Sequence, residues 1–189
     1  MPAGGLAGFR LCAGMISVLI ETLNDEEALA RTLAALVEGA VEGVVRDVIV
    51  CDGGSSDRTR LVADEAGCVW LAGGGMAAGL RQAKGDWIML LEPGAILGRG
   101  WIEDALAHCA KASMAARFTR SHRARRPLFS RLLGRNRALA DGLLIRKSQA
   151  LSLSQAVRSG EAIARGLASK RLAAEIVPAD RSSSPSRGG

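Results

Sequence analysis

VIVCDGGSSDRT, Val48 to Thr59, is the stretch that decides the reading of this chain. Four apolar residues run without polar alternation into Asp52, two glycines, two serines and Asp57. A continuous apolar run of this length marks a strand covered on both faces, the kind found in parallel sheets. The residues after it are turn formers, and a helix pattern follows from Asp57 to Ala66, stopped at Gly67. Strand, tight turn and helix therefore succeed one another, with a carboxylate held at the strand's carboxyl end.

The same order recurs outward in both directions. ISVLI (Ile16 to Ile20) is a second buried run; Asn24 and Asp25 offer a cap for a helix whose Leu29, Leu33, Leu36, Val37 and Ala40 share one face. CVWLA (Cys68 to Ala72) and WIMLL (Trp87 to Leu91) read as further strands, with a helix from Met76 to Lys84 between them. Strands alternating with helices predict an α/β fold: a mainly parallel, mixed sheet with helices on both faces. Beyond Leu91 a helix begins at Trp101, DGLLIRK (Asp141 to Lys147) suits a strand, Gly160 to Arg171 a last helix and AAEIV (Ala173 to Val177) a last strand.

With 189 residues and 48% apolar content, one folded domain over about residues 15–179 is expected, between a loose glycine-rich start (1–14) and a disordered tail (180–189). The longest apolar runs fall well short of the roughly 20 residues a membrane span needs, and no secretory signal leads the chain, so a cytoplasmic protein is expected. Four scattered cysteines and two histidines support neither a disulfide framework nor a zinc site. A net charge of +6 and a pI near 9.8 favour a polyanionic partner: a nucleoside diphosphate, an anionic lipid surface or nucleic acid. Three Phe, three Trp and no Tyr leave little aromatic surface for stacking bases, which sets nucleic acid aside.

In an open parallel sheet, ligands bind outside the carboxyl ends of the strands, where the turns Leu23 to Glu27 and Asp52 to Asp57 both fall. Asp52 could accept hydrogen bonds from a base or ribose, Gly53 and Gly54 could let a ligand approach the backbone, and Ser55 stands beside them. The same residues also suit a turn in which Asp52 and Ser55 do no more than cap the helix. The pattern alone leaves these two readings level.

SVLIETLNDEEALARTLAAL followed by VIVCDGGSSDRTRLVADEAG resembles the family 2 glycosyltransferases of the GT-A fold, and among them a short bacterial group with a DGGS turn. GDWIMLLEPGAILGRGW (Gly85 to Trp101) resembles the family's strand with its acidic metal motif, and AEIVPA (Ala174 to Ala179) is a weaker echo. The resemblance implies a nucleotide-binding half (15–100) and an acceptor half (101–179), with a sugar passed from a nucleotide-sugar donor to an envelope lipid or polysaccharide precursor. It implies hexosyl transfer with inversion, on a protein that rests peripherally at the inner membrane surface. Thr22, Leu23, Asn24 and Glu26 would border the nucleotide, and Asp52 would meet its base.

The chain departs from the family pattern in several places. The proline that ends the first strand is Glu21, and the metal motif, two acids one residue apart, reads Glu92, Pro93, Gly94. Glu92 alone would hold Mg²⁺ or Mn²⁺ weakly, because such ions need several oxygen ligands. The general base of an inverting transfer would be Asp141 or Glu161, each one residue from a family acid. Eight arginines between Arg117 and Arg137 lie in an acid-free run; they make either a solvated or lipid-attracted face, or guanidiniums folded over the diphosphate in place of the metal. The competing function is a GT-A-like module that binds nucleotide without transferring sugar.

Overall fold

The structure, a computed structural model, describes residues 16–73, 75–121, 137–156 and 158–179. The expected loose start, the disordered tail and the arginines from Arg123 to Arg135 lie outside these residues.

The described chain runs β1 (Ile16–Thr22), α1 (Glu26–Val41), β2 (Val45–Asp52), α2 (Thr59–Glu65), β3 (Val69–Ala72), α3 (Gly75–Gln82), β4 (Trp87–Leu91), β5 (Ile96–Leu97), α4 (Trp101–Lys111), β6 (Ala115–Arg120), β7 (Leu143–Arg146), α5 (Lys147–Ser154), α6 (Gly160–Ala164) and β8 (Ser169–Val177). The eight strands form one sheet in the order β3-β2-β1-β4-β7-β6-β8-β5. β1 pairs in parallel with both β2 and β4, and β3 extends that parallel half. Antiparallel pairing of β7 with β4 and β6, and of β5 with β8, makes the sheet mixed.

Each central strand feeds two cores. Val18 and Ile20 of β1 pack with Leu29, Leu33 and Leu36 of α1 and with Trp101 and Ala105 of α4. Leu19, pointing the other way, packs with Met76 and Leu80 of α3, Ala150 of α5 and Ile163 of α6. Side chains alternate across a strand, so a sheet covered on both faces requires apolar residues at successive positions, and this is why β1, β2 and β4 read as unbroken apolar runs.

The second half departs from the expected elements. The helix expected over Gly160 to Arg171 ends at Ala164, because Gly166 takes a left-handed φ of +75°. The chain then extends into β8, whose Leu172, Ala174 and Ile176 alternate into the core while Arg171, Ala173 and Glu175 face out. DGLLIRK is strand only over Leu143–Arg146, and α5, β5 and β6 had no counterpart in the expected order.

Candidate functional site

The parallel register brings the two expected corners together. Thr22 and Asp52 are partners at the ends of β1 and β2, and the corners that follow them are stitched to each other. Asn24, the one non-glycine residue with a positive φ among the described residues (+56°), donates its amide to Ser55 Oγ at 2.8 Å. Its side-chain Oδ1 accepts the amides of Ser56 (2.8 Å) and Asp57 (3.4 Å). The Asp25 amide goes to Thr59 Oγ1 (3.0 Å) and the Glu26 amide to Asp57 Oδ2 (3.2 Å). The start of α1 is thus satisfied by the second corner rather than by a cap from Asn24 or Asp25. The Asp25 carboxylate instead accepts the Leu23 amide behind it at 2.9 Å.

Asp52 is the centre of this knot. It is only 4% exposed, and its carboxylate accepts from four donors: Thr22 Oγ1 (3.2 Å), the amides of Gly54 (2.9 Å) and Ser55 (2.8 Å), and the Ser55 hydroxyl. Burial pushes the carboxyl upward, but the bonds from Ser55, Gly54 and Thr22 outweigh it and hold the group below its ordinary value. Asp57, exposed at the end of the turn, is lowered in the same way: some burial raises it, and the Thr59 hydroxyl and amide together with the Glu26 amide win. Gly53 and Gly54 remain exposed, Gly54 at φ +105°. Glu26 pairs with Arg58 at 3.2 Å on the rim. Thr22, Leu23, Asn24, Glu26, Asp52, Gly53, Gly54 and Ser55 therefore form one continuous surface, with Asp52 and Thr22 beneath it and the glycines on top.

Glu92 lies one residue beyond the last β1–β4 pair, Ile20 with Leu91, and so on the same edge as Glu21. Its carboxylate is buried, 7% exposed, and ion-paired with Arg137 at 3.0 Å. The second Arg137 nitrogen donates to the Ala179 carbonyl at 2.9 Å. At Gly94, φ is +93°, and a Cβ would meet Ala179 Cβ at 3.4 Å and Ala28 Cβ at 3.6 Å; the Gly94 amide is held by Thr32 Oγ1 at 2.8 Å. No group of three or more His, Cys, Asp or Glu residues is arranged to hold a metal among the described residues. A divalent cation demands several oxygen ligands, and this corner supplies one carboxylate already compensated by a guanidinium. The described residues of this corner do not fit a metal.

The second half of the described chain packs against the same edge. Glu21 accepts the Gly160 amide at the start of α6 (2.9 Å), and a Cβ on Gly160 would meet Met76 Cε at 3.0 Å. Glu161 spends its two oxygens on the amides of Ala138 (2.8 Å) and Leu139 (2.9 Å) and also pairs with Arg165. Burial raises this carboxyl, and those amides and Arg165 bring it below its ordinary value. The Arg117 guanidinium reaches the carbonyls of Ala138 and Ala164 and the Ser169 hydroxyl, fastening β6 to the turn and to α6. Asp141, two residues before the last β4–β7 pair (Leu90 with Leu143), is bracketed by Arg120 at 2.7 Å and Arg171 at 3.1 Å. Two surface depressions, one beside Arg99 and Asp104, the other beside Asp86 and Lys147, are lined by none of these residues.

Sequence reasoning named Glu21 only as a departure from the family pattern and Arg137 only as one of eight arginines, and it passed over Thr59. Nothing in their spacing singles them out: the partner of Arg137 is 45 residues away by number (137 less 92). No helix among the described residues is long and apolar enough to cross a membrane.

Comparison with solved structures gives the glucosyl-3-phosphoglycerate synthase of Mycobacterium tuberculosis, at 17% identity over 89% of this chain and 73% of that one, with a TM-score of 0.58. The same enzyme with Mn²⁺, UDP and glucosyl-3-phosphoglycerate matches at 18% identity and a TM-score of 0.55 over 74% of this chain, and with Mn²⁺, UDP-glucose and glycerol 3-phosphate at 18% and 0.56. In these two matches the chain spans 59% of the synthase's length. The likeness establishes the GT-A fold. No curated protein matches the sequence. The family model for glycosyl transferase family 2 matches residues 17–124, more than half of the 189-residue chain, and the chain belongs to that family.

Proposed function

We propose that this protein binds a nucleotide-sugar donor on the surface made by the corners after β1 and β2, and passes the sugar to an envelope lipid or polysaccharide precursor. The observation that carries the reading is the knot itself: Asp52, Ser55, Asn24 and Asp57 hold two exposed corners in one rigid relation at the carboxyl edge of a family 2 sheet. A preset surface of this kind binds without an ordering cost. Asp52 supports the site from below rather than by offering an unused oxygen, and the exposed Gly53 and Gly54 backbone is where a base would lie. Synthase structures crystallised with UDP and with UDP-glucose support a uridine nucleotide as the first donor to test.

For an inverting transfer we assign the base to Asp141 before Glu161. Glu161 is committed to the turn at 138–139, whereas Asp141 stands at the sheet edge with exposed arginines as partners, and an acceptor hydroxyl reaches it once one guanidinium gives up an oxygen. The chain's basic balance suits an anionic acceptor or the surface that presents it, at the cytoplasmic face of the membrane. The second reading, a nucleotide-binding module without transfer, draws on one observation: Glu92, Asp141 and Glu161 all have protein partners.

Titration of UDP- and GDP-linked sugars, followed by calorimetry and by donor hydrolysis, separates the readings. Binding with slow hydrolysis supports the transferase, and binding without turnover under any condition supports the module. Absence of binding to every nucleotide sugar refutes both.

A further inference from the structure

We propose that the metal corner of this fold has been rebuilt around a guanidinium, so that Arg137 rather than a divalent cation meets the diphosphate. The inference rests on the nucleotide reading above and deepens it.

Three independent features converge. First, the one surviving acid of the motif, Glu92, is buried and ion-paired with Arg137 at 3.0 Å. A dication brought to that carboxylate would have to expel the guanidinium or sit against its charge. Second, the place of the missing acid disfavours a side chain: Gly94 is left-handed at φ +93°, a backbone conformation that strains an L-residue, and a Cβ there would already touch Ala179 and Ala28 at 3.4 and 3.6 Å. Third, the same Ala179 fixes Arg137, accepting from its second nitrogen at 2.9 Å. One segment thus borders the vacated ligand position and holds the replacing cation.

Arg137 is suited to the task. Nη1 is buried against Glu92, and the side chain as a whole keeps 24% of its surface exposed, which is where an anion would approach. Guanidinium nitrogens match phosphate oxygens as a fork, which an ammonium does not. Glu92 then acts as the counter-ion that orients Arg137 rather than as a metal ligand, and the two roles predict opposite signs for one substitution. Glu92→Gln would destroy a metal site, but it would leave Arg137 hydrogen-bonded and its charge uncompensated toward the diphosphate.

The test uses the full chain and UDP, by calorimetry in EDTA and in Mn²⁺, with Mn²⁺ binding to the nucleotide-free protein read by electron paramagnetic resonance. The expected results are UDP affinity equal within about twofold in the two buffers, and E92Q affinity unchanged or raised about threefold. R137M should bind about tenfold more weakly, with R137K in between because it keeps the charge and loses the fork. The E92Q, R137M double variant removes both charges together and controls for misfolding of the single one. A tightening of about tenfold or more by Mn²⁺ in the wild type, or an equal weakening in E92Q, overturns the proposal. If UDP binds in neither buffer, the nucleotide reading falls and the role of Arg137 toward diphosphate falls with it. The spin-resonance titration then judges the rebuilt corner by itself: submillimolar Mn²⁺ binding overturns it, and its absence upholds it.

Discussion

Replacing Asp52 tests whether the two corners are held by one carboxylate. Asp52 is 4% exposed and accepts from two amides and two hydroxyls. Hydrogen bonds to a charged acceptor contribute about 1.5–3 kcal/mol each, and the exposed Gly54 and the half-buried Ser55 recover part of the loss by turning to water. Asp52→Ala should therefore cost about 3–4 kcal/mol, a large share of the roughly 5–15 kcal/mol that holds a domain together. Asp52→Asn keeps one oxygen for the amides, while its NH₂ can face hydroxyls able to rotate and accept, so about 1–2 kcal/mol is expected. Urea unfolding with an unchanged slope measures both. The carboxyl titrates below its ordinary 3.8 in the native chain, so the unfolded chain takes up this proton first as pH falls. Its stabilisation is whole above about pH 5 and drains away as pH falls through the native value, so the gap between wild type and D52N should close in acid. Equal stability of D52A and D52N at pH 7, or a gap that does not change with pH, refutes the reasoning.

Other substitutions probe the packing and the closing half. Gly39→Ala should destabilise by about 2 kcal/mol in urea despite the better helix propensity of alanine, because the new Cβ would lie 2.6 Å from two ring carbons of the buried Trp101; a gain in stability would contradict the packing. Burial and the Glu21 charge push the Cys51 thiol up to about 12, and burial with Asp64 pushes Cys68 up to about 11. Both should resist a disulfide reagent at pH 8 until urea is added, and a Cys51 reacting at the rate of a free thiol counts against this. Glu161→Ala should speed amide hydrogen exchange at Ala138 and Leu139 and cost about 2–3 kcal/mol, since both amides rest on its carboxylate; unchanged exchange there would mean the turn holds by itself.

The parallel half was legible from the residues because its physics is local. Strands buried on both faces must be apolar at successive positions, so β1, β2 and β4 announce themselves, and glycine-rich turns before helices mark the carboxyl edge. The second half was not legible for the converse reason. β8 was expected only over its last five residues, Ala173 to Val177; its first residues, Ser169 to Arg171, were read as the end of a helix, which the left-handed Gly166 stops short. β6 and β7 are short strands whose pairing is decided by distant partners.

At the site, the division is sharper. The sequence by itself determined the family, the parallel frame, the two corners that flank the edge, and the loss of the second motif acid, because each is written in a contiguous run of residues. Only the tertiary structure decided that Asp52 is saturated by its own turn, that the start of α1 is capped by Asp57, and that Glu92 is paired with Arg137 under Ala179. Those are contacts between segments about 30 to 90 residues apart in sequence or carboxylates whose use depends on which donors fold around them; charge and spacing along a chain say nothing of either until strand register brings the donors within hydrogen-bonding reach.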